Sequence, residues 1–231
     1  MSANQAAGFS IVKYTANATS GATIGHGLSQ ELDLLIVKST NLGQAWNVYV
    51  KDVTDTSSKY LRLNENYSIA DLITANPRFI PNNFTDSVFS VGNDNSTNGI
   101  SGTDTYIAYC FHLVDGYQKI GSYSGSSTSA ITVTTGFKPR FLMLKLAVGS
   151  SSAYTGWVMF DSTRDIDSDQ DNPLYDNSSQ QEGLRGNGAG SADEAVKVQF
   201  TDTGFIVDPD LNRDGETNAG NGTTYIYLAI A

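Results

Sequence analysis

The sequence predicts an all-β protein: two tandem copies of a β-sandwich (jelly-roll-like) unit with minimal helix, over residues 1–115 and 116–231. Three observations predict it. Glycine is abundant, at 22 of 231 residues, while charged residues make up only 16%; a helical protein carries more Lys and Glu on its solvent faces. Short aromatic and β-branched runs alternate with Gly, Asn, Ser and Thr clusters at the spacing of a sandwich. The second half of the chain also echoes the first.

The echoes run in order. Gly8-Phe-Ser-Ile-Val-Lys-Tyr14 returns as Tyr117-Gln-Lys-Ile-Gly-Ser-Tyr123. Gly27-Leu28, before an apolar run ending at Lys38, returns as Gly136-Phe137 before a run ending at Lys145. Trp46-Asn-Val-Tyr49 matches Trp157-Val-Met-Phe160, and Asp86-Ser-Val-Phe-Ser-Val91 matches Asp202-Thr-Gly-Phe-Ile-Val207. Thr105-Tyr-Ile-Ala-Tyr-Cys-Phe111 matches Thr224-Tyr-Ile-Tyr-Leu-Ala-Ile230. The separation grows from 109 positions at Tyr14 and Tyr123 to 119 at Tyr106 and Tyr225. That drift falls between strands, where insertions are tolerated.

Each run has a structural reading. Leu34 to Val37 and Phe141 to Leu144 are continuously apolar, as central strands covered on both faces are. The Tyr106 and Tyr225 runs suit strands by their aromatic and β-branched content. Asp115-Gly116 is a tight-turn pair at the junction of the copies. One short helix is expected, with Ser68 as cap, Asp71 at the capping-box position, and Ile69, Leu72 and Ile73 on one face. Asn76-Pro77 stops it.

Composition excludes several classes. No window approaches the about 18 apolar residues that cross a bilayer. The start, MSANQAAGFSIV, has no basic region followed by an apolar one, so no secretory signal is expected. The formal charge is −10, which disfavours nucleic acid and anionic lipid as partners. One cysteine and two histidines leave no internal disulfide and no Cys- or His-rich metal site.

The stretches GFSIVKYT, GATIGHGL, LLIVK, TYIAYCFH…GYQKIGSYSG, TGFKPRFLMLK and TYIYLA together resemble a β-domain recurring in tailed-phage virion structural and tail-fibre-type proteins, particularly of marine and cyanobacterial phages. The resemblance covers essentially the whole chain, and TYIAYCFH…GYQKIGSYSG is its most specific part. Ala16-Asn17-Ala18 stands where the family tends to Gly-Asn-Gly, and Gln30-Glu31 where it tends to Pro. Both departures lie in loops and bear on turn geometry. No assigned chemistry comes with the resemblance; it implies a place in a phage particle.

Residues able to do chemistry are few. His26, between two glycines, would be an exposed general base, but its repeat partner is Thr135, which points to a strand-end hydrogen bonder. His112 follows the Tyr106 run. Cys110 lies within that run, has Ala229 as partner, and reads as a small buried thiol. Gly121-Ser-Tyr-Ser-Gly125 places Tyr where a nucleophile elbow needs Ser. Asp165-x-Asp167-x-Asp169-x-Asp171 and Asp208-x-Asp210-x-Asn212-x-Asp214-Gly215 set oxygen ligands at alternate positions, as a Ca²⁺ loop does. Asn221 stands where the loop's bidentate Glu is needed, and alternating acids also simply solvate a loop. Asp208, Asp210, Asn212 and Asp214 are the Ca²⁺ candidates. Trp46 and Trp157 suit either sugar stacking or sheet packing.

No catalytic residues or cofactor-binding residues are therefore expected. The expectation is a non-enzymatic virion structural protein, made in the host cytoplasm and docking on the particle as a capsid decoration or cement protein. Its partners would be the major capsid or tail protein, in a homo-oligomeric or lattice-dependent arrangement. The alternative is a tail- or fibre-associated module binding host surface glycan. Far-UV circular dichroism is expected to show a strand-type spectrum; a helix-type double minimum would contradict the fold class.

Overall fold

A computed structural model describes residues 1–51, 53–54, 59–69, 77–99, 101–126, 128–150, 155–164, 169–170, 173–176, 198–209, 217–220 and 222–231. The chain divides into two compact units, one of residues 1–64 and 69–114 and the other of residues 65–68 and 115–231.

Unit 1 holds β1 (Ser2–Asn4), β2 (Phe9–Thr15), β3 (Ala22–Gly25), β4 (Leu34–Ser39), β5 (Asn47–Val50), β6 (Leu61–Arg62), β7 (Val88–Val91) and β8 (Thr105–Phe111). An antiparallel six-stranded sheet runs β1-β2-β8-β4-β5-β6, and β3 pairs with β7 in a second sheet. Strand β8 alternates strictly, with Tyr106, Ala108 and Cys110 buried and Ile107, Tyr109 and Phe111 half-buried. The inward set joins Val12, Leu35, Val37 and Tyr49 against Phe89 and Val91 of the smaller sheet. This is sandwich packing of two sheets. Strand β4 is buried on both faces, as its continuous apolar run predicts.

Unit 2 holds β9 (Gln118–Ser124), β10 (Ile131–Thr134), β11 (Phe141–Val148), β12 (Trp157–Asp161), β13 (Asp169–Gln170), β14 (Leu174–Tyr175), β15 (Val198–Thr201), β16 (Gly204–Val207) and β17 (Thr224–Ile230). Its sheets run β14-β12-β11-β17-β9 and β10-β16-β15-β13. Leu142, Leu144, Leu146, Phe160 and Tyr227 of the first meet Val133, Val198, Phe205 and Val207 of the second. A register shift interrupts β11 between Leu146 and Val148. Gly204 opens β16 beside β10, where a Cβ would fall 1.9 Å from the Val133 carbonyl oxygen.

Strand order is the same in both units. β2-β8-β4-β5-β6 corresponds to β9-β17-β11-β12-β14, and β3-β7 to β10-β16. In each, the first long strand pairs with the last and the next with the one before it, the nested pairing of a jelly-roll-like hairpin. The expected helix falls at residues 70–76, outside the described residues; its cap, Ser68, is fully buried.

A tyrosine pair closes each nest. Tyr14 lies opposite Tyr106 in the β2–β8 register and stacks on it at 5.2 Å; Tyr123 lies opposite Tyr225 and stacks at 5.2 Å. The Tyr14 hydroxyl donates to the Thr97 carbonyl and the Tyr123 hydroxyl to the Thr217 carbonyl, both at 2.6 Å. The Tyr106 hydroxyl accepts from the Gly99 amide and the Tyr225 hydroxyl from the Ala219 amide, both at 2.8 Å.

Between those anchors sits one buried asparagine per unit. Asn98 accepts from the Asn17 amide and donates to the Thr19 and Gly92 carbonyls. Asn218 accepts from the Ser126 amide and donates to the Ser129 and Asp208 carbonyls. Each ties the loop after the first long strand to the segment before the last. Substituting Asn98→Ala or Asn218→Ala strands several buried backbone groups and is expected to cost about 3 kcal/mol. Urea unfolding followed by tryptophan and tyrosine fluorescence checks this; a loss under about 0.5 kcal/mol would show that the clamps do not hold the loops.

Candidate functional site

The groups with chemical potential are each held by local hydrogen bonds. His26 follows β3 and is fully buried. Its Nδ1 accepts from the Leu28 amide at 3.2 Å, so the proton lies on Nε2, which donates to the Thr85 carbonyl at 3.3 Å. Both ring nitrogens are thereby used. Burial lowers its pKa, which the Thr85 bond opposes and the nearby His112 reinforces. Thr135, at the corresponding place after β10, accepts from the Phe137 amide and donates to the Phe137 carbonyl. The two residues do the same job, capping the turn that leaves the smaller sheet.

His112 is nearly fully buried, and its Nδ1 lies 2.7 Å from the Leu113 carbonyl. Cys110 is fully buried, and burial pushes its thiol up to about 12. A thiol held in that state is no nucleophile at neutral pH. Asp33, which no sequence motif singles out, takes the Leu113 amide on Oδ2 at 2.7 Å. Burial raises its pKa, against the pull of that bond and of Lys51. Its backbone bridges Phe111 and Lys51, joining the ends of β8 and β5.

The lysines that end the two apolar runs also act structurally. Lys38 lies opposite Ile107 and Lys145 opposite Ile226. The Lys38 amine donates to the Leu42 and Gln44 carbonyls. Lys145, fully buried, donates to the Thr155 and Asn66 carbonyls. Each amine thus closes the loop that follows its own strand, and Lys145 additionally fastens residue 66 to unit 2.

The tryptophans differ. Trp157 is buried within β12 opposite Lys145. Trp46 is half-buried and stacks on Tyr109, with ring centroids 6.2 Å apart. It adjoins the outer face of the unit 1 sheet, where cross-strand rows run Phe9–Phe111–Leu34 and Ile11–Tyr109–Ile36. Leu34 and Ile36 are buried, whereas Ile11 is 38% exposed. These two rows are apolar, while the next row on the same face, Lys13–Ile107–Lys38, carries two amines.

Of the Ca²⁺ candidates, Asp208 is half-buried and its carbonyl is taken by Asn218; Asp210, Asn212 and Asp214 lie outside the described residues. So do residues 165–168 and 171 of the other acidic run, while the backbone of Asp169 belongs to β13. Among the described residues, no three His, Cys, Asp or Glu side chains gather as a metal-ligand set, and no helix is long and apolar enough to cross a membrane.

Sequence reasoning passed over Asn98 and Asn218. The signal was present in Ser96-Thr-Asn-Gly99 and Glu216-Thr-Asn-Ala219, each standing just before the tyrosine-bearing last strand of its copy.

A family model described as "Domain of unknown function (DUF7483)" matches residues 1–231. The chain belongs to that family. None of the curated proteins matches it. Two solved structures align with this DUF7483 chain. The major capsid protein P2 from Bacteriophage PM2 is 8% identical, with 96% of this chain and 98% of that one covered and a TM-score of 0.28. The STIV MCP is 8% identical, with 96% and 95% covered and a TM-score of 0.28. Likeness at that level carries no functional argument.

The state of His26 gives the DUF7483 chain a pH dependence of known sign. Its folded pKa lies below the ordinary value of about 6.5, so the unfolded chain binds the extra proton first. The stabilisation is complete above about pH 6.5 and is lost as pH falls toward the folded pKa. His26→Thr, which copies the Thr135 arrangement, is expected to remove that dependence. Unfolding midpoints of both proteins between about pH 8 and about pH 5 test it; parallel profiles would contradict the neutral, doubly bonded imidazole.

Proposed function

We propose that this chain is a non-enzymatic structural protein of a bacteriophage virion, docking on the particle surface as a capsid decoration or cement protein. One observation carries the reading. The stretches that resemble tailed-phage virion proteins fall on the frame strands of both units: GFSIVKYT on β2, LLIVK on β4, TYIAYCF on β8, QKIGSYS on β9, FLMLK on β11 and TYIYLA on β17. The resemblance therefore lies in the residues that build the sandwiches, and it brings with it the setting in which such modules are found.

Two further observations support it. Side chains that a hydrolase would use are occupied in folding: His26 caps a turn, Cys110 is a buried thiol, and Asp33 ties two strand ends. The charge of −10 disfavours binding of packaged DNA by the free chain. On this reading residues 1–115 and 116–231 are two copies of one sandwich, and the chain is made in the host cytoplasm. Its partners are the major capsid or tail protein in a lattice-dependent arrangement.

A second reading, a tail- or fibre-associated module for host surface glycan, is favoured by the half-buried Trp46–Tyr109 stack, since a sugar ring docks on an aromatic face.

Quantitative mass spectrometry of purified particles, against the major capsid protein, separates the two. A copy number at a simple fraction of the capsid protein is expected. A ratio many times lower moves the chain to the tail, and absence from the particle overturns both readings.

A further inference from the structure

We propose that the outer edge of β9 is a self-association site, at which β9 of a second copy pairs antiparallel about a two-fold axis at Ser122. The inference concerns association of this chain in solution and stands whether or not the chain is a virion component.

The first observation is that the two large sheets end differently. In unit 1, β1 lies on the outer edge of β2, pairing Ser2 with Ile11 and Asn4 with Phe9. In unit 2, β9 occupies the place of β2, yet it is the terminal strand of its sheet among the described residues. Unit 1 thus shows that this edge accepts an antiparallel strand, and in unit 2 no strand among the described residues is added there.

The second observation is length. The other terminal strands of the two large sheets are β1, with 3 residues, and β6 and β14, with 2 each. Natural sheets blunt their edges with strands that short. Strand β9 has 7 residues, of which Ser122 and Ser124 are exposed and Gln118 is buried.

The third is the direction of the backbone groups. The Ala231 amide donates to the Tyr117 carbonyl and the Gly125 amide to the Thr223 carbonyl, so odd-numbered residues face β17. The alternation of an antiparallel ladder then turns the N–H and C=O of Ile120, Ser122 and Ser124 outward.

Charge selects a second copy as the occupant. Residues 118 to 134 contain a single side chain that is charged at neutral pH, Lys119, in a chain of formal charge −10. Two copies pairing along β9 bring no carboxylates of these residues together. With the axis at Ser122, Ile120 pairs with Ser124 of the second copy, Ser122 with its own mate, and Lys119 lies opposite Gly125. No like charges stand opposite one another. The closure is isologous, so it stops at a dimer.

The test uses the full chain. Sedimentation equilibrium is expected to show a species at twice the 24.7 kDa of one chain, lost in both Ser122→Pro and Ser122→Lys. The first removes an outward N–H without touching the β17 ladder; the second sets two exposed cations face to face, and circular dichroism confirms that each variant folds. Ser122→Cys is expected to yield a disulfide-linked dimer on mild oxidation, because Cα atoms of a hydrogen-bonded antiparallel pair are about 5.5 Å apart, while buried Cys110 stays reduced. A monomer up to about 100 μM overturns the proposal, as does a dimer that folded Ser122→Lys leaves intact. A dimer abolished by deleting residues 2–4, and unchanged by the Ser122 variants, assigns the contact to β1 and overturns it equally.

Discussion

Everything in each unit hangs on pairing its first long strand with its last. Tyr14 and Tyr106, or Tyr123 and Tyr225, come from opposite ends of a unit yet lie directly opposite in register. A hydrogen-bonded ladder alone is a weak guarantee of such a distant contact, since loop closure must be accomplished before it is rewarded. The stacked tyrosines add burial and ring–ring attraction of about 0.5 to 1.5 kcal/mol beyond area. Their hydroxyls then fix the loop that delivers the last strand. With that strand placed, the remaining strands have one sheet position each, and the smaller sheet finds its core already half assembled.

The second constraint is that a sandwich with buried loop ends must satisfy many backbone groups away from water. The chain uses neutral amides and long amines for this. Asn98 and Asn218 each serve three or more backbone groups through one side chain. Lys38 and Lys145 reach from mid-sheet to the carbonyls of the following loop, which keeps the β4–β5 and β11–β12 turns closed. His26 and Thr135 show how loosely the chemistry is specified: an imidazole and a hydroxyl fill the same role because the turn asks only for an acceptor and a donor a few ångströms apart. A general base would need one ring nitrogen open to substrate, and here the fold occupies both.

How much of this was legible follows from what each signal depends on. Strands β4, β8, β11 and β17 could be read because burial on one or both faces fixes their composition, residue by residue. Strands β1, β6, β13 and β14 could not, as two or three residues carry no periodicity and owe their pairing to a neighbour. The asparagine clamps were missed because Asn next to Gly, as at Asn98, or one residue from it, as at Asn218, reads as a turn, and only the three-dimensional meeting of two loops shows the amide to be a hub. The tryptophans matched in sequence, yet Trp157 is buried in β12 while Trp46 precedes β5 and lies half open on Tyr109. A repeat in sequence transmits the sheet position and leaves the cover over it unspecified.

That last difference points to where function must lie. The interiors of the two units answer to the same physical demands, and the residues they share are spent on packing, stacking and capping. What distinguishes the units is peripheral: β1 extends one large sheet and has no counterpart among the described residues of the other, Lys145 is fully enclosed while Lys38 is half exposed, and half-buried Trp46 stacks on Tyr109. A change at an interior position must satisfy the nest or unfold it, so those positions are not free to acquire a partner. An edge, a rim aromatic or a loop can change at a cost of a few tenths of a kcal/mol. Each unit therefore holds its shape with its interior residues and gains its specificity at the positions where the two units stop resembling each other.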